Sequence, residues 1–150
     1  MLRLNLGACD RVFDGFLSVD VCPPADVVTD LREAWPWKDS SVDEVMAIDI
    51  FEHLPDKEHT MCELWRVLKP GGRAMIEIPN AARGAGAWQD PTHVSAWCGN
   101  SFEYYEDGNG NRERFGHIPA FRILSGEHRS YPGRFDEVWK FTIVLEAVKK

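Results

Sequence analysis

The stretch Ala47–Gly72, AIDIFEHLPDKEHTMCELWRVLKPGG, decides the fold. Apolar residues recur at three- and four-residue steps from Met61 to Leu68, which predicts an amphipathic helix. Asp56 is a plausible N-cap for this helix, and Pro70 with the glycines after it predicts a sharp stop. Apolar segments flank the helix on both sides. This strand–helix–strand order is typical of a doubly wound α/β sheet, whose ligands bind at the carboxyl ends of the strands.

Short apolar segments elsewhere predict the rest of the sheet. We expect parallel strands at Leu2–Leu6, Phe16–Val21, Asp26–Thr29, Glu44–Ile48 and Arg73–Ile78. Two later segments, Ala120–Leu124 and Val138–Val148, are expected to pair antiparallel at one sheet edge. The first crossover has only about eight residues, whereas a parallel crossover usually needs a dozen or more. The glycine-containing segment Asn80–Trp88 is predicted to be a mobile loop.

Length and composition indicate one soluble domain over residues 1–150, with 44% apolar and 27% charged residues. A net charge of -7 argues against a nucleic acid partner. No apolar run is long enough to span a membrane, and Met1–Leu6 does not resemble a signal peptide. The four cysteines form no C-x-x-C pair, which favours reduced thiols in the cytoplasm. Because neither Cys nor His falls at the spacing of a zinc motif, no metal is expected.

Three carboxylates follow predicted parallel strands, and these are Asp20, Asp30 and Asp49. The ends of such strands line one crevice, and a carboxylate after the second strand can accept hydrogen bonds from ribose hydroxyls. Gly7, after the first strand, lets the backbone come close to a ligand. The apolar Leu31 beside Asp30 suits an adenine base. Together these positions predict a ligand that contains a nucleoside.

Five segments resemble the class I S-adenosylmethionine-dependent methyltransferases, chiefly small members with E-H-L and L-K-P-G-G motifs. They are LNLG (Leu4–Gly7), FLSVD (Phe16–Asp20), DVVTDL (Asp26–Leu31), DIFEHL (Asp49–Leu54) and RVLKPGG (Arg66–Gly72). The resemblance covers roughly residues 2–80. It implies a Rossmann-like, mostly parallel sheet with strand order 3-2-1-4-5-7-6 and an antiparallel seventh strand, here with an abbreviated first crossover.

The resemblance also implies a role for individual residues in binding S-adenosylmethionine. Leu6, Gly7 and Ala8 would approach the methionine part of the cofactor. The ribose hydroxyls would bind Asp20, with Val21 beside them, and the adenine would meet Asp30 and Leu31. Asp49 and Ile50 would lie near the ribose and the sulfonium methyl group.

His53 and His93 are the candidate catalytic bases, since imidazole titrates near neutral pH. The chain lacks the Asn/Asp-Pro-Pro-Tyr-like motif of enzymes that methylate exocyclic amines, because its fourth strand is followed by Asp49-Ile50-Phe51-Glu52. A small-molecule acceptor is therefore expected. Five arginines between Asn109 and Arg134 are either a solvated surface or a patch for an anionic acceptor.

Two other functions are left open. The chain could be a non-catalytic nucleoside-binding domain or a subunit completed by a partner, which the short first crossover would favour. It could also be a nicotinamide-dependent oxidoreductase, although no G-x-G-x-x-G follows the first strand. A second copy of the chain could cover an apolar face of so small a sheet, so a homodimer is also left open.

Overall fold

Seven strands and three short helices make up the computed structural model, which describes residues 1–149 without the side chains of Arg112 and Glu113. The strands are β1 (Arg3–Leu6), β2 (Leu17–Asp20), β3 (Val27–Val28), β4 (Val42–Ile48), β5 (Leu68–Gly84), β6 (Phe121–Pro132) and β7 (Glu137–Ala147). The helices are α1 (Lys57–Val67), α2 (Gly99–Glu103) and α3 (Asn111–Phe115), and a 3-10 turn spans Phe51–His53. None of these helices is long and apolar enough to cross a membrane.

The strands form one sheet in the order β3-β2-β1-β4-β5-β7-β6. β1 to β5 run parallel, and β7 pairs antiparallel with both β5 and β6. The expected strand order and the antiparallel terminal pair are confirmed. The two predicted terminal strands were placed correctly, but β6 continues eight residues past Leu124 because it pairs with β7 as far as Pro132↔Glu137.

One face of the sheet forms the hydrophobic core. Side chains alternate along each strand, so Leu4, Val45 and Ile76 point to the same face and are fully buried there. Helix α1 covers this face with Met61 and Leu64, which belong to the same buried cluster. The carboxyl ends of β1 to β5 therefore meet along one edge, above the packed core.

The opposite face carries the abbreviated first crossover, residues 7–16, which contains no helix. Two contacts hold it against the sheet. The guanidinium of Arg3 lies 4.9 Å from the ring centroid of Phe16, and the Asn5 side-chain amide donates to the carbonyl of Arg11 at 2.9 Å. Asn5 is only 2% exposed, so the loop replaces part of the cover that a crossover helix would give.

The helix predicted from the deciding stretch is present with its predicted cap. The Asp56 carboxylate accepts a hydrogen bond from the backbone N–H of His59 at 2.9 Å. Helix α1 ends at Val67, and β5 begins at once. Gly71, with a left-handed φ of +73°, lies in the irregular part of β5 between its pairings Val42↔Leu68 and Glu44↔Arg73 with β4.

The loop predicted from Asn80 to Trp88 is wrong in its first half. β5 continues to Gly84 and pairs again with β7 after a bulge, at Gly84↔Val138. Asn80, in this extension, is buried, and its side chain bonds to His128 and to the backbone N–H of Ala82. The second half, after Gly84, leaves the sheet and returns towards the site as a turn.

Replacing Asp56 by alanine should lower the free energy of unfolding by about 1 kcal/mol, because one N-terminal amide of α1 loses its acceptor. Asp56→Asn is the matched control, since asparagine caps helices about as well. Urea unfolding followed by circular dichroism measures both variants. Equal losses in the two variants would show that the carboxylate does not act as a cap.

Candidate functional site

A cavity of about 250 Å³ opens at the carboxyl ends of β1 to β4. Its lining combines two carboxylates, one cation and several apolar side chains. The lining residues are Gly7, Asp20, Val21, Thr29, Asp30, Leu31, Arg32, Ile50, His53 and Leu54. We call this the first cavity. Its position is the one at which open α/β sheets bind ligands.

Asp20, the last residue of β2, is held in a fixed orientation by backbone amides. Its Oδ2 accepts from the N–H of Cys9 at 2.9 Å, and its Oδ1 accepts from the N–H of Val21 at 2.7 Å. Burial alone would raise the pKa of Asp20, but these hydrogen bonds and a weaker one from Cys22 outweigh burial and lower the pKa. The carboxylate is therefore ionised at neutral pH and still has lone pairs for a ligand.

Asp30, after β3, forms a bidentate ion pair with Arg32. The Arg32 Nη2 lies 2.6 Å from the Asp30 Oδ2, and the Arg32 Nε lies 2.9 Å from Oδ1. Hydrogen bonds from the Arg32 side chain and backbone lower the pKa of Asp30 to about 2. The planar pair forms one wall of the first cavity, next to Leu31.

Gly7 lets two segments approach each other closely beneath the first cavity. Its φ is +63°, and a Cβ at this position would lie 2.7 Å from the Cβ of Ile50. Any larger residue would therefore push Ile50 or the crossover away from the cavity. This glycine is required by the protein's own packing as well as by the space for a ligand.

Asp49, directly after β4, lies outside the first cavity and is bound by two cations. Its carboxylate meets the Nη2 of Arg11 at 3.1 Å and the Nζ of Lys140 at 2.6 Å. Lys140 also donates to Glu77 at 3.1 Å. Burial by itself would lower the pKa of Lys140, but its hydrogen bonds and attraction to both carboxylates raise the pKa, so this amine stays charged. Asp49 has a φ of +54°, which turns the chain from β4 into the site.

A second cavity, of about 230 Å³, lies beyond Asp49. Most of its lining is polar. The residues are Asp49, Glu52, His53, Pro79, Gly86, Gln89, Asp90, His93, Val138 and Lys140. His53 lines both cavities, so the two spaces share a wall.

Glu52 is a buried carboxyl group in the wall of the second cavity. The residue is 2% exposed, and neither Oε1 nor Oε2 has a hydrogen-bond partner among the described residues. Burial raises the pKa of Glu52 to about 7; the residue's own backbone N–H and Lys140 oppose the shift, and repulsion from Asp49 and Asp90 adds to it. Such a group is a recognised mark of a functional site.

Two histidines stand beside Glu52, with ring centroids 4.9 Å apart and nearly perpendicular planes. The Nδ1 of His53 lies 3.2 Å from the carbonyl of Thr92, and the Nδ1 of His93 lies 3.2 Å from the carbonyl of Ala87. The segment that carries His93 is tied to the 3-10 turn, because the backbone N–H groups of Val94 and Ser95 both donate to the carbonyl of Glu52.

The structure places most of the predicted site residues in the lining of one of the two cavities. Those that line the first cavity are Gly7, Asp20, Val21, Asp30, Leu31 and Ile50. Asp49 and His93 line only the second, and His53 lines both. Leu6 and Ala8 are buried and line neither cavity, so their predicted cofactor roles would have to use the main chain.

Sequence reasoning missed four charged residues of the site, namely Arg11, Arg32, Glu52 and Lys140. Glu52 was within the quoted E-H-L motif, and its apolar neighbours were the available sign that it would be buried. Arg11 and Lys140 gave no such sign, because they reach Asp49 from 38 and 91 positions away in the sequence.

The arginine-rich segment between Asn109 and Arg134 does not reach either cavity through its described side chains. Arg122 pairs with Glu146 and Arg129 with Glu127, while Arg114 and Arg134 lie over neighbouring phenylalanine rings. The remaining arginine, Arg112, has its side chain outside the described residues. The anionic acceptor that this segment suggested therefore gains no support from the lining of the cavities.

Comparisons with known proteins identify the fold and one matching domain family. Residues 10–76 match the methyltransferase domain family. The methyltransferase GfsG of Streptomyces halstedii is 45% identical over 49 residues, which are 31% of this chain and 18% of that protein. The chain thus matches less than a fifth of the length of its curated relatives.

Solved structures resemble this chain over nearly its whole length. An S-adenosylmethionine-dependent methyltransferase from Methanosarcina mazei has a TM-score of 0.69 at 13% identity, covering 99% of this chain and 92% of the other. A Haloferax volcanii chain solved in complex with the Trm112 methyltransferase activator has a TM-score of 0.68 at 17% identity, covering 99% and 83%. The solved structures confirm the expected fold, and the matched domain supports the expected class of protein and the expected cofactor, S-adenosylmethionine. The roles of the individual residues stay predictions.

Replacing Glu52 by glutamine should flatten the dependence of stability on pH. Folding raises the pKa of Glu52 from its usual 4.5 to about 7. The folded state therefore binds this proton more tightly than the unfolded state, and the free energy of unfolding falls as pH rises through that window, by roughly 3 kcal/mol at most. Glutamine is neutral at every pH, so the variant should be more stable than the wild type above pH 7.

The measurement is urea unfolding at pH values below, within and above this window, in a buffer with EDTA so that no stray cation compensates the carboxylate. Glu127→Gln, on the exposed part of β6, is the matched control and should keep the slope of the wild type. Equal slopes in the wild type and Glu52→Gln would mean that Glu52 ionises normally in the folded state.

Proposed function

We propose that this chain, a class I S-adenosylmethionine-dependent methyltransferase by its fold and its matched domain, transfers the cofactor's methyl group to a small-molecule acceptor. One observation carries the proposal. The first cavity combines the ionised Asp20 and an apolar floor at the carboxyl ends of the strands, and it shares the wall at His53 with a polar second cavity. The arrangement provides one space for the cofactor and another for the acceptor.

The first cavity suits the adenosyl part of the cofactor. Asp20 offers carboxylate lone pairs to the two ribose hydroxyls, and its orientation is already fixed by backbone amides. Leu31 and Ile50 supply apolar surface for the faces of the base. Its volume of about 250 Å³ lies just below the range of roughly 300–1,000 Å³ usual for ligand pockets, so the methionine part would extend out of it.

Arg11 is our candidate for holding the methionine carboxylate. Many nucleotide-binding folds use the N-terminus of the first crossover helix to attract an anion, but the crossover here contains no helix. The guanidinium of Arg11 instead reaches the edge of the sheet, where it donates to the carbonyl of Ile48 and to Asp49. Its side chain is 42% exposed, so donors remain for a ligand.

The acceptor would occupy the second cavity. When bound, S-adenosylmethionine supplies an electrophilic methyl group, so the chain mainly has to align the acceptor, exclude water and manage a proton. We propose that His53 and His93 handle the proton of the acceptor, as predicted from the sequence, since both line this cavity. Lys140 brings a positive charge to this cavity, but its ion pairs with Asp49 and Glu77 already neutralise that charge. A neutral hydroxyl acceptor fits this lining better than an anion.

A second candidate function is that of a subunit whose site is completed by a partner chain. The observation that favours it is the short crossover, which covers only part of its sheet face, whereas parallel sheets usually have both faces covered. The related Haloferax chain was solved with an activator protein. Binding of S-adenosylhomocysteine by the purified chain alone would favour the first function. Stabilisation by NAD but not by S-adenosylhomocysteine would instead favour an oxidoreductase.

Replacing Asp20 by alanine should weaken binding of S-adenosylhomocysteine roughly 10- to 100-fold, because two charge-assisted hydrogen bonds to the ribose are lost. Isothermal titration calorimetry measures the affinity. Asp136→Ala, in the exposed turn between β6 and β7, is the matched control and should bind like the wild type. Unchanged affinity in a folded Asp20→Ala protein would remove this carboxylate from the cofactor site.

Replacing Arg11 by alanine should weaken S-adenosylhomocysteine about 10-fold and leave 5′-methylthioadenosine unaffected. The second ligand keeps the nucleoside and the thioether but lacks the amino-acid carboxylate. Arg11→Lys, which keeps the charge, should recover part of the loss. If Arg11→Ala weakened both ligands equally, Arg11 would support the shape of the crossover rather than bind the carboxylate.

A further inference from the structure

The fold brings together one carboxylate and two imidazoles that are distant from each other in the sequence. Glu52 and His53 lie in the 3-10 turn after β4, and His93 lies forty positions further along. One carboxylate oxygen of Glu52 and one ring nitrogen of each histidine lie within 4.8 Å of one another. We call these three residues the Glu52 cluster.

The carboxylate of Glu52 needs a partner that the described residues do not supply. The residue is 2% exposed, and both oxygens lack a hydrogen bond. Its nearest imidazole nitrogen, the Nε2 of His93, is 3.9 Å from Oε1, which is too far for a hydrogen bond. Lys140 is engaged by Asp49 and Glu77. Burial of an unpaired carboxylate is costly, and coordination to a metal ion is one of the few arrangements that compensate for it.

The histidines are oriented as metal ligands usually are. A backbone carbonyl can only accept a hydrogen bond, so the contacts with the carbonyls of Thr92 and Ala87 are hydrogen bonds in the tautomer that carries the proton on Nδ1. This leaves the Nε2 of each ring with a lone pair. Metal-binding histidines almost always donate their other ring N–H to a carbonyl or carboxylate in this way. The Nε2 of His93 also lies 3.7 Å from the Oδ2 of Asp90, at the rim of the second cavity.

We propose that Glu52, His53 and His93 bind a divalent transition-metal ion, with Zn²⁺ as the reference ion. Two imidazoles and one carboxylate are a common ligand set for zinc, and three protein ligands leave an open coordination position. Typical metal–ligand bonds of about 2.0–2.2 Å are compatible with ligand atoms within 4.8 Å of one another after small side-chain rotations.

The ion would lie in the wall of the second cavity. If the proposed methyl transfer takes place there, the open position would hold the acceptor's oxygen and lower the pKa of its hydroxyl. With the ion bound, both imidazoles would be ligands rather than bases, so the hydroxyl's proton would pass to water in the cavity. This catalytic role rests on the proposed function, but metal binding does not. Zinc motifs that are recognisable in a sequence place their ligands within a few positions of one another, whereas this cluster spans positions 52 to 93, so the expectation of no metal did not address it.

The test is a titration of EDTA-stripped protein with ZnCl₂, followed by calorimetry, in a Cys9→Ser/Cys22→Ser background that removes the exposed thiols. We expect one ion per chain. Glu52→Gln, His53→Gln and His93→Gln should each weaken binding at least 10-fold, whereas His117→Gln, which removes an exposed histidine outside the cluster, should not. Co²⁺ added instead of Zn²⁺ should give visible absorption that is absent in Glu52→Gln.

Two results would overturn the proposal. One is the absence of stoichiometric Zn²⁺ binding by the parent protein, and the other is equal binding by the parent protein and the folded Glu52→Gln variant. Titrating S-adenosylhomocysteine into the same stripped protein separates this outcome from a failure of the proposed function, because the first cavity does not contain Glu52 or His93.

Discussion

The ion pairs around Asp49 hold the functional edge of this protein together. Arg11 comes from the first crossover, Asp49 from the end of β4 and Lys140 from β7, and all three meet at one carboxylate. Lys140 extends the group to Glu77 on β5. These contacts connect segments that lie on both sides of the sheet's centre. The group lies beside the second cavity, whose lining includes Asp49 and Lys140, while the first cavity lies at the carboxyl ends of β1 to β4.

The same charges explain how so short a first crossover can be tolerated. In a longer chain a helix would pack on this sheet face and present its N-terminus to the ligand. Here the Arg11 side chain donates to the carbonyl of Ile48 and to the carboxylate of Asp49, which anchors the loop. The side-chain amide of Asn5, on β1, donates to the backbone carbonyl of Arg11. The loop therefore has fixed contacts on the sheet without secondary structure of its own. Its guanidinium can replace the helix terminus as a positive group.

Much of the fold could be predicted from the sequence, since hydrophobic periodicity and turn residues are local signals. The helix after Asp56 and the antiparallel terminal strands are examples. The errors have a physical cause. Asn80–Gly84 has the composition of a loop, yet it extends β5 because the long β7 offers it hydrogen bonds. Likewise, the positions of the strand ends placed Asp20 and Asp30 correctly at the first cavity. They did not predict that Asp49 would pair with Arg11 and Lys140 and line the second cavity instead.

Glu52 shows why a buried charge in this place is informative. Its carboxyl group costs stability above neutral pH and contributes no hydrogen bond to the fold. A protein gains nothing structural from such a group, so its place beside two histidines in the wall of the second cavity indicates chemistry.

The central claim is that the first cavity binds the adenosyl part of S-adenosylmethionine. A crystal structure with S-adenosylhomocysteine tests it most directly. The account predicts ribose hydroxyls on Asp20 and the sulfur directed towards His53, and density for the ligand at any other surface would contradict it.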